Sequence, residues 1–131
     1  MKLLVVDDNL DAAESLRMLL EMTEHEVDCV YSGPAAVESA TSQAYDAIIC
    51  DIGLPGDLDG FGVAQALREH EKTRGIRLIA LSGHGQDSDK MASLNAGFHT
   101  HLVKPASLDQ LQAALSDLPA DEQRALDEHH A

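Results

Sequence analysis

Hydrophobic residues gather in five short runs, separated by stretches in which they recur every three or four positions. The runs are Leu3-Leu4-Val5-Val6, Val27-Asp28-Cys29-Val30, Ala47-Ile48-Ile49-Cys50, Leu78-Ile79-Ala80-Leu81 and His101-Leu102-Val103. Most are continuously apolar and do not alternate, the pattern of strands covered on both faces. Between them Leu10, Ala13, Leu16 and Leu20 share one face of a predicted helix. Ser32-Gly33-Pro34 offers a cap with Pro at the first helical position. Asp59-Gly60 leads into a segment with Val63 and Leu67 one turn apart, and Met91 and Leu94 mark a shorter helix closed by Asn95-Ala96-Gly97. Ser107 with Gln110 forms a capping box opening a last helix whose face is Leu108, Leu111, Leu115 and Leu118. Strand and helix alternate throughout, which predicts an α/β fold of (βα) repeated five times around a parallel five-stranded sheet.

The chain of 131 residues is the size of one domain with a proper core. That domain is expected over residues 1–118. Pro119 ends the last helix, and residues 119–131 read as an acidic tail, frayed helix or disorder.

Charge narrows the function. Acidic residues number 23 against 9 basic ones, for a formal net charge of −14. Nucleic-acid affinity comes mainly from Lys and Arg neutralising phosphates, so direct nucleic-acid binding is not expected. No apolar run approaches the roughly 18 residues that span a bilayer, and no signal-peptide cleavage region follows Met1-Lys2. A cytoplasmic protein without membrane insertion is the expectation. Cys29 and Cys50 lie in apolar stretches outside any metal-binding spacing, and read as buried reduced thiols.

In a parallel sheet, chemistry gathers at the carboxyl ends of the strands. There the sequence places Asp7-Asp8, Asp51, Ser82 and Lys104-Pro105, after four different strands. Carboxylates brought together repel one another unless some protonate or a cation joins them. Oxygen-rich, thiol-free ligands suit a hard ion such as Mg²⁺. Metal, ammonium and hydroxyl together suit a phosphoryl group, whose transfer relies on positioning and charge neutralisation. A central carboxylate can itself be the nucleophile and become an aspartyl phosphate.

These residues sit in motifs that resemble the receiver domains of two-component response regulators and hybrid sensor kinases. The motifs are Leu4-Val5-Val6-Asp7-Asp8-Asn9, Asp51-Ile52-Gly53-Leu54-Pro55-Gly56 with Asp59-Gly60-Phe61, Ala80-Leu81-Ser82-Gly83, Ala96-Gly97-Phe98 and His101-Leu102-Val103-Lys104-Pro105. The resemblance covers roughly residues 2–118 and implies a flavodoxin-like, doubly wound sheet of strand order 2-1-3-4-5. It implies that Asp51 is the phosphoacceptor, taking phosphate from a sensor histidine kinase or histidine phosphotransfer domain. It further implies Mg²⁺ or Mn²⁺ held by Asp8, Asp51 and the Gly53 backbone carbonyl, with Asp7 reaching the metal through water. Ser82 and Lys104 would each engage a phosphoryl oxygen. The Lys104–Pro105 bond is typically cis in the family, which the X-Pro residue type permits.

Several features depart from the family. Where receivers commonly carry Tyr or Phe as the switch partner of the Ser/Thr hydroxyl, this chain has His101. A titratable ring there either couples less tightly, responds to pH, or plays no switching role. The Ser82-Gly83-His84-Gly85 loop resembles receivers of hybrid kinases, which pass phosphate onward, and this chain fits the C-terminal receiver of a larger hybrid kinase and a stand-alone regulator equally. The Gly56-Asp57-Leu58-Asp59-Gly60 loop is one residue longer than common and reads as a solvated insertion. Gly83-His84-Gly85 with Ser88 is a poor dinucleotide fingerprint, since it follows the fourth strand and ends in Ser. Two competing functions remain at this level. One is a metal-dependent phosphohydrolase with an aspartyl-phosphate intermediate, the other an unphosphorylated pseudo-receiver scaffold.

Overall fold

In the computed structural model, which describes residues 1–83 and 87–116, strands and helices alternate through the whole of that span. The elements are β1 (Lys2–Val6), α1 (Leu10–Glu21), β2 (Glu26–Val30), α2 (Gly33–Ser42), β3 (Ala47–Asp51), α3 (Gly60–Glu69), β4 (Arg77–Ser82), α4 (Asp87–Ala96), β5 (Thr100–Val103) and α5 (Leu108–Ser116). The strands form one parallel sheet in the order β2-β1-β3-β4-β5. This is the flavodoxin-like, doubly wound arrangement.

The continuous apolar runs have a direct structural cause. Alternate residues of β1, β3 and β4 point to opposite faces, and both faces are covered. Leu4, Val6, Ile48, Cys50, Leu78 and Ala80 pack beneath Ala36 and Ala40 of α2, Val63, Ala64 and Leu67 of α3, and Ala96 of α4. Leu3, Val5, Ala47, Ile49, Ile79 and Leu81 pack against Ala13 and Leu20 of α1 and Leu111, Ala114 and Leu115 of α5.

The helix starts follow local chemistry. Asn9, Ser32 and Asp59 accept from the backbone N–H groups of Ala12 (3.1 Å), Ala35 (3.2 Å) and Gly62 (2.9 Å). Such a cap typically stabilises a helix by about 1 kcal/mol. Ser107 and Gln110 complete the capping box reciprocally, at 3.1 and 2.9 Å. Gly97 follows α4 at φ +119, a left-handed conformation that glycine takes at little cost.

Four expectations need correction or limits. Leu10 is 61% exposed, because it opens α1 at the sheet's rim; the buried residues of that helix are Ala13 and Leu20. Met91 and Leu94 are also exposed, and α4 turns the smaller Ser93 and Ala96 inward instead. Cys50 is buried, whereas Cys29 is only half-buried, its thiol directed at the Ala13 carbonyl. Leu118, the tail 119–131, His84 and Gly85 lie outside the described residues.

Candidate functional site

The register of the sheet brings the ends of four strands to one rim. Val6 lies opposite Cys50, Asp51 opposite Leu81, and Ser82 opposite Val103. The residues that end or follow these strands are therefore neighbours: Asp7 and Asp8, Asp51, Ser82 and Lys104. One carboxylate oxygen from each of Asp7, Asp8 and Asp51 lies within 4.8 Å of the others. Asp7 and Asp51 are buried, and Asp8 is exposed.

Lys104 stands between the two buried carboxylates. Its Nζ donates to Asp7 Oδ2 at 2.9 Å and to Asp51 Oδ2 at 3.0 Å. Burial works against the ammonium, but these hydrogen bonds and the charges behind them outweigh it, and the lysine pKa is raised above its ordinary value. The remaining oxygens are held by backbone. Asp7 Oδ1 accepts from Asn9 N–H at 3.0 Å, and Asp51 Oδ1 accepts from Gly53 N–H at 2.9 Å. Three carboxylates and one ammonium leave the pocket with excess negative charge, and the exposed Asp8 stands on its open side.

The hydroxyl lies on the neighbouring strand. Ser82 is buried, and its Oγ is 2.7 Å from Nε2 of His101 across the β4–β5 pair. The Ser82 carbonyl accepts from the backbone N–H of Lys104 at 2.8 Å, which ties the hydroxyl-bearing residue to the ammonium-bearing one. The Lys104–Pro105 peptide is cis. Beside the pocket an open, mostly apolar groove runs between α1 and the loop after β5. It is lined by Ala12, Ser15, Leu16, Leu19, Pro105 and Ala106, and is reached by Asp7 and Lys104.

Two supporting residues had no role assigned from the sequence. A Cβ on Gly60 would lie 2.4 Å from Ile52 Cα and 2.5 Å from the Asp51 carbonyl oxygen. Only a residue without a side chain lets the start of α3 sit this close to the backbone carrying Asp51. The pair Asp59-Gly60 held the signal, since a capping Asp followed by Gly marks a tight helix start. Asn9 is the second, capping α1 with its side chain while its N–H orients Asp7. In the longer loop, Leu58 packs against the core and Asp57 is exposed.

Cys50 stays clear of this chemistry. Its thiol is buried and pushed far above its usual pKa, first by burial and then by the nearby charge of Asp51.

A sequence model of the response regulator receiver domain matches residues 3–116. TctD of Salmonella typhimurium, a transcriptional regulatory protein, is 35% identical over 118 residues, which make up 90% of this chain and 51% of that protein. The chain thus spans about half the length of such relatives. Among solved structures, a putative response regulator from Chloroflexus aurantiacus superposes with a TM-score of 0.81 at 32% identity, covering 88% of this chain and 98% of the other. The receiver domain of the sensor histidine kinase PA1611 from Pseudomonas aeruginosa superposes with a TM-score of 0.80 at 34% identity, covering 87% and 93%; it carries a magnesium ion coordinated in its active-site cleft.

Proposed function

Because the chain belongs to the response regulator receiver family and is a receiver domain of two-component signalling, we propose that Asp51 is its phosphoacceptor, taking a phosphoryl group from a phosphohistidine on a partner protein. The observation that carries this reading is Lys104 Nζ shared between Asp7 and Asp51, with Asp8 completing the acidic cluster.

A carboxylate oxygen of Asp51 attacks phosphorus, the new O–P bond forms, and the N–P bond of the phosphohistidine breaks with its electron pair left on nitrogen. Lys104 supplies positive charge where negative charge gathers on the phosphoryl oxygens, and Ser82 offers a hydroxyl donor. Gly53 N–H and Lys104 hold the acceptor carboxylate in one orientation beforehand, which reduces the ordering needed at the moment of transfer.

The donor set fits a hard divalent cation: clustered carboxylates, one of them open to solvent, with no thiol among them. Asp8, Asp51 and the Gly53 carbonyl would hold Mg²⁺, with Asp7 acting through water; Mn²⁺ would suit the same oxygens. When bound, the ion neutralises carboxylate and phosphoryl charge.

The partner is a sensor histidine kinase or a histidine phosphotransfer domain. The groove along α1 leaves an apolar surface beside the acceptor on which such a protein can rest. No helix among the described residues is long and apolar enough to cross a membrane. A cytoplasmic site of action follows from the proposed chemistry. The chain acts as a phosphoacceptor and not as an enzyme with a small-molecule substrate.

Incubation with Mg²⁺ and acetyl phosphate, followed by intact-mass measurement, tests the proposal. The expected result is a phosphoryl adduct that is absent in Asp51→Asn. Rapid turnover of small phosphate esters without a lasting adduct would instead identify a phosphohydrolase, and no reaction at all would identify a scaffold.

A further inference from the structure

The contact between Ser82 and His101 has two possible proton arrangements, and they differ in what they let Ser82 do. At 2.7 Å, either the hydroxyl donates to Nε2 or Nε2–H donates to Oγ. In the first arrangement the one hydroxyl proton is committed to the imidazole, and Ser82 turns lone pairs towards any other neighbour. In the second, that proton is released to point elsewhere. A phosphoryl group bears only acceptors towards Ser82, so while the contact with His101 is kept it can be bound only in the second arrangement. That arrangement requires a proton on Nε2, either in the Nε2–H tautomer or in the imidazolium.

We propose that His101 is a positioning residue that aims the Ser82 hydroxyl, so that phosphoryl capture at Asp51 and proton uptake by His101 favour each other. The proposal rests on the reading of Asp51 as acceptor and goes beyond it by making the phosphorylated state sensitive to pH near neutrality. The imidazolium carries a proton on both ring nitrogens, Nε2 included, and adds positive charge behind the hydroxyl that meets the phosphoryl dianion. Histidine is the side chain whose ordinary titration falls in this range. Coupling of two binding events is reciprocal, so the factor by which phosphorylation favours the proton equals the factor by which the proton favours phosphorylation.

The surroundings allow this. On β4, Ala80 lies opposite His101 and Ser82 accepts or donates the hydrogen bond. Just before β5, His99 is two residues away; its Nδ1 accepts from Leu78 N–H and from the Arg68 guanidinium of α3, both at 3.2 Å. In the α4 helix, which packs on β5, Lys90 is exposed. At the rim Lys104 is already paired with Asp7 and Asp51.

The test uses imidazole ¹⁵N–¹H NMR on the full chain, with the His101 signals assigned by their loss in His101→Phe. Spectra are titrated with Mg²⁺ alone, and then with Mg²⁺ and beryllofluoride, a lasting tetrahedral stand-in for the phosphoryl group. The expected result is an upward move of the His101 titration midpoint and a larger Nε2-protonated population when beryllofluoride is bound. In parallel, the rate of Asp51 phosphorylation by acetyl phosphate is compared between about pH 6 and about pH 8. The ratio of the two rates is expected to change by about fivefold or more in His101→Phe and in Ser82→Ala, with no further change in the double variant. A midpoint unmoved by bound beryllofluoride, or a ratio unchanged in Ser82→Ala, overturns the coupling while an Asp51 adduct in the wild type leaves the acceptor reading standing. Absence of any adduct in the wild type overturns both.

Discussion

The ammonium of Lys104 lies 3.0 Å from Asp51 Oδ2, although 53 residues separate the two in the chain. The same ammonium reaches Asp7, so the two buried carboxylates share one cation. Lys104→Ala is expected to fold, yet to lose about 2 kcal/mol of stability without metal, the usual worth of hydrogen bonds to charged groups. Phosphorylation by acetyl phosphate should slow markedly. Urea denaturation in the presence of a chelator, with adduct formation followed by mass, checks both; wild-type behaviour in the two assays would remove Lys104 from the site.

Asp8 points the other way. It is the exposed member of the acidic cluster, and without metal it adds repulsion more than it adds contacts. Asp8→Ala should melt at a higher temperature than wild type in chelator, and should lose most of the stabilisation given by Mg²⁺. A ligand at about a hundred times its dissociation constant stabilises by about 2.7 kcal/mol, which sets the size of the wild-type response. Equal shifts with Mg²⁺ in both proteins would exclude Asp8 as a ligand.

Gly60 offers a test of the scaffold beneath the site. A methyl group there would meet Ile52 Cα at 2.4 Å and the Asp51 carbonyl at 2.5 Å, and backbone atoms cannot swing aside. Gly60→Ala should cost about 1–3 kcal/mol, the range for forcing extra volume into packed surroundings. Because the displaced strand end carries Asp51, its rate of phosphorylation should fall too. A fully stable variant with normal phosphorylation would show that α3 and β3 can separate freely.

Alkaline pH gives a further prediction. The ordinary pKa of a cysteine thiol is 9.0, and burial raises that of Cys50 far above it. Unfolded chains release this proton as pH passes 9.0, while folded chains keep it. The stability tied to Cys50 is therefore complete below pH 9.0 and declines as pH rises above it. Lys104, raised above 10.5, adds a second loss that begins higher, near its own unfolded value. Urea midpoints measured across this range should fall more steeply in wild type than in Cys50→Ala. Identical slopes would mean that the Cys50 thiol ionises as readily in the folded protein.

Much of the fold was legible because its causes are local or periodic. Strands covered on both faces leave unbroken apolar runs, and Ser32 and Ser107 cap helices with side chains that choose such positions. The site residues could be placed together for the same reason, since each follows a strand at one edge of a parallel sheet. What escaped was two-dimensional. Periodicity finds a helix without saying which of two weak faces packs inward, so Met91 and Leu94 drew attention in α4 while Ser93 and Ala96 were buried. Long-range hydrogen bonds to backbone leave no pattern at all. Arg68 donates to the carbonyls of Gly97, Arg74 and Ile76 at 2.6–2.9 Å, pinning the turn after α4 to the approach to β4, and nothing in its neighbours announces this. The family resemblance paired His101 with the Ser82 hydroxyl, but the direct 2.7 Å contact between them has no mark in the sequence.

The edge position of β5 has a temporal consequence. Among the described residues its sole strand neighbour is β4, yet the residue that follows it brings the ammonium to Asp7, just after β1, and to Asp51 at the end of β3. Until this last strand docks, the acids exist without their counter-charge and the hydroxyl without its imidazole. A chain whose edge has locally peeled away therefore lacks the assembled set of acids, ammonium and hydroxyl. The site is whole only when the sheet is.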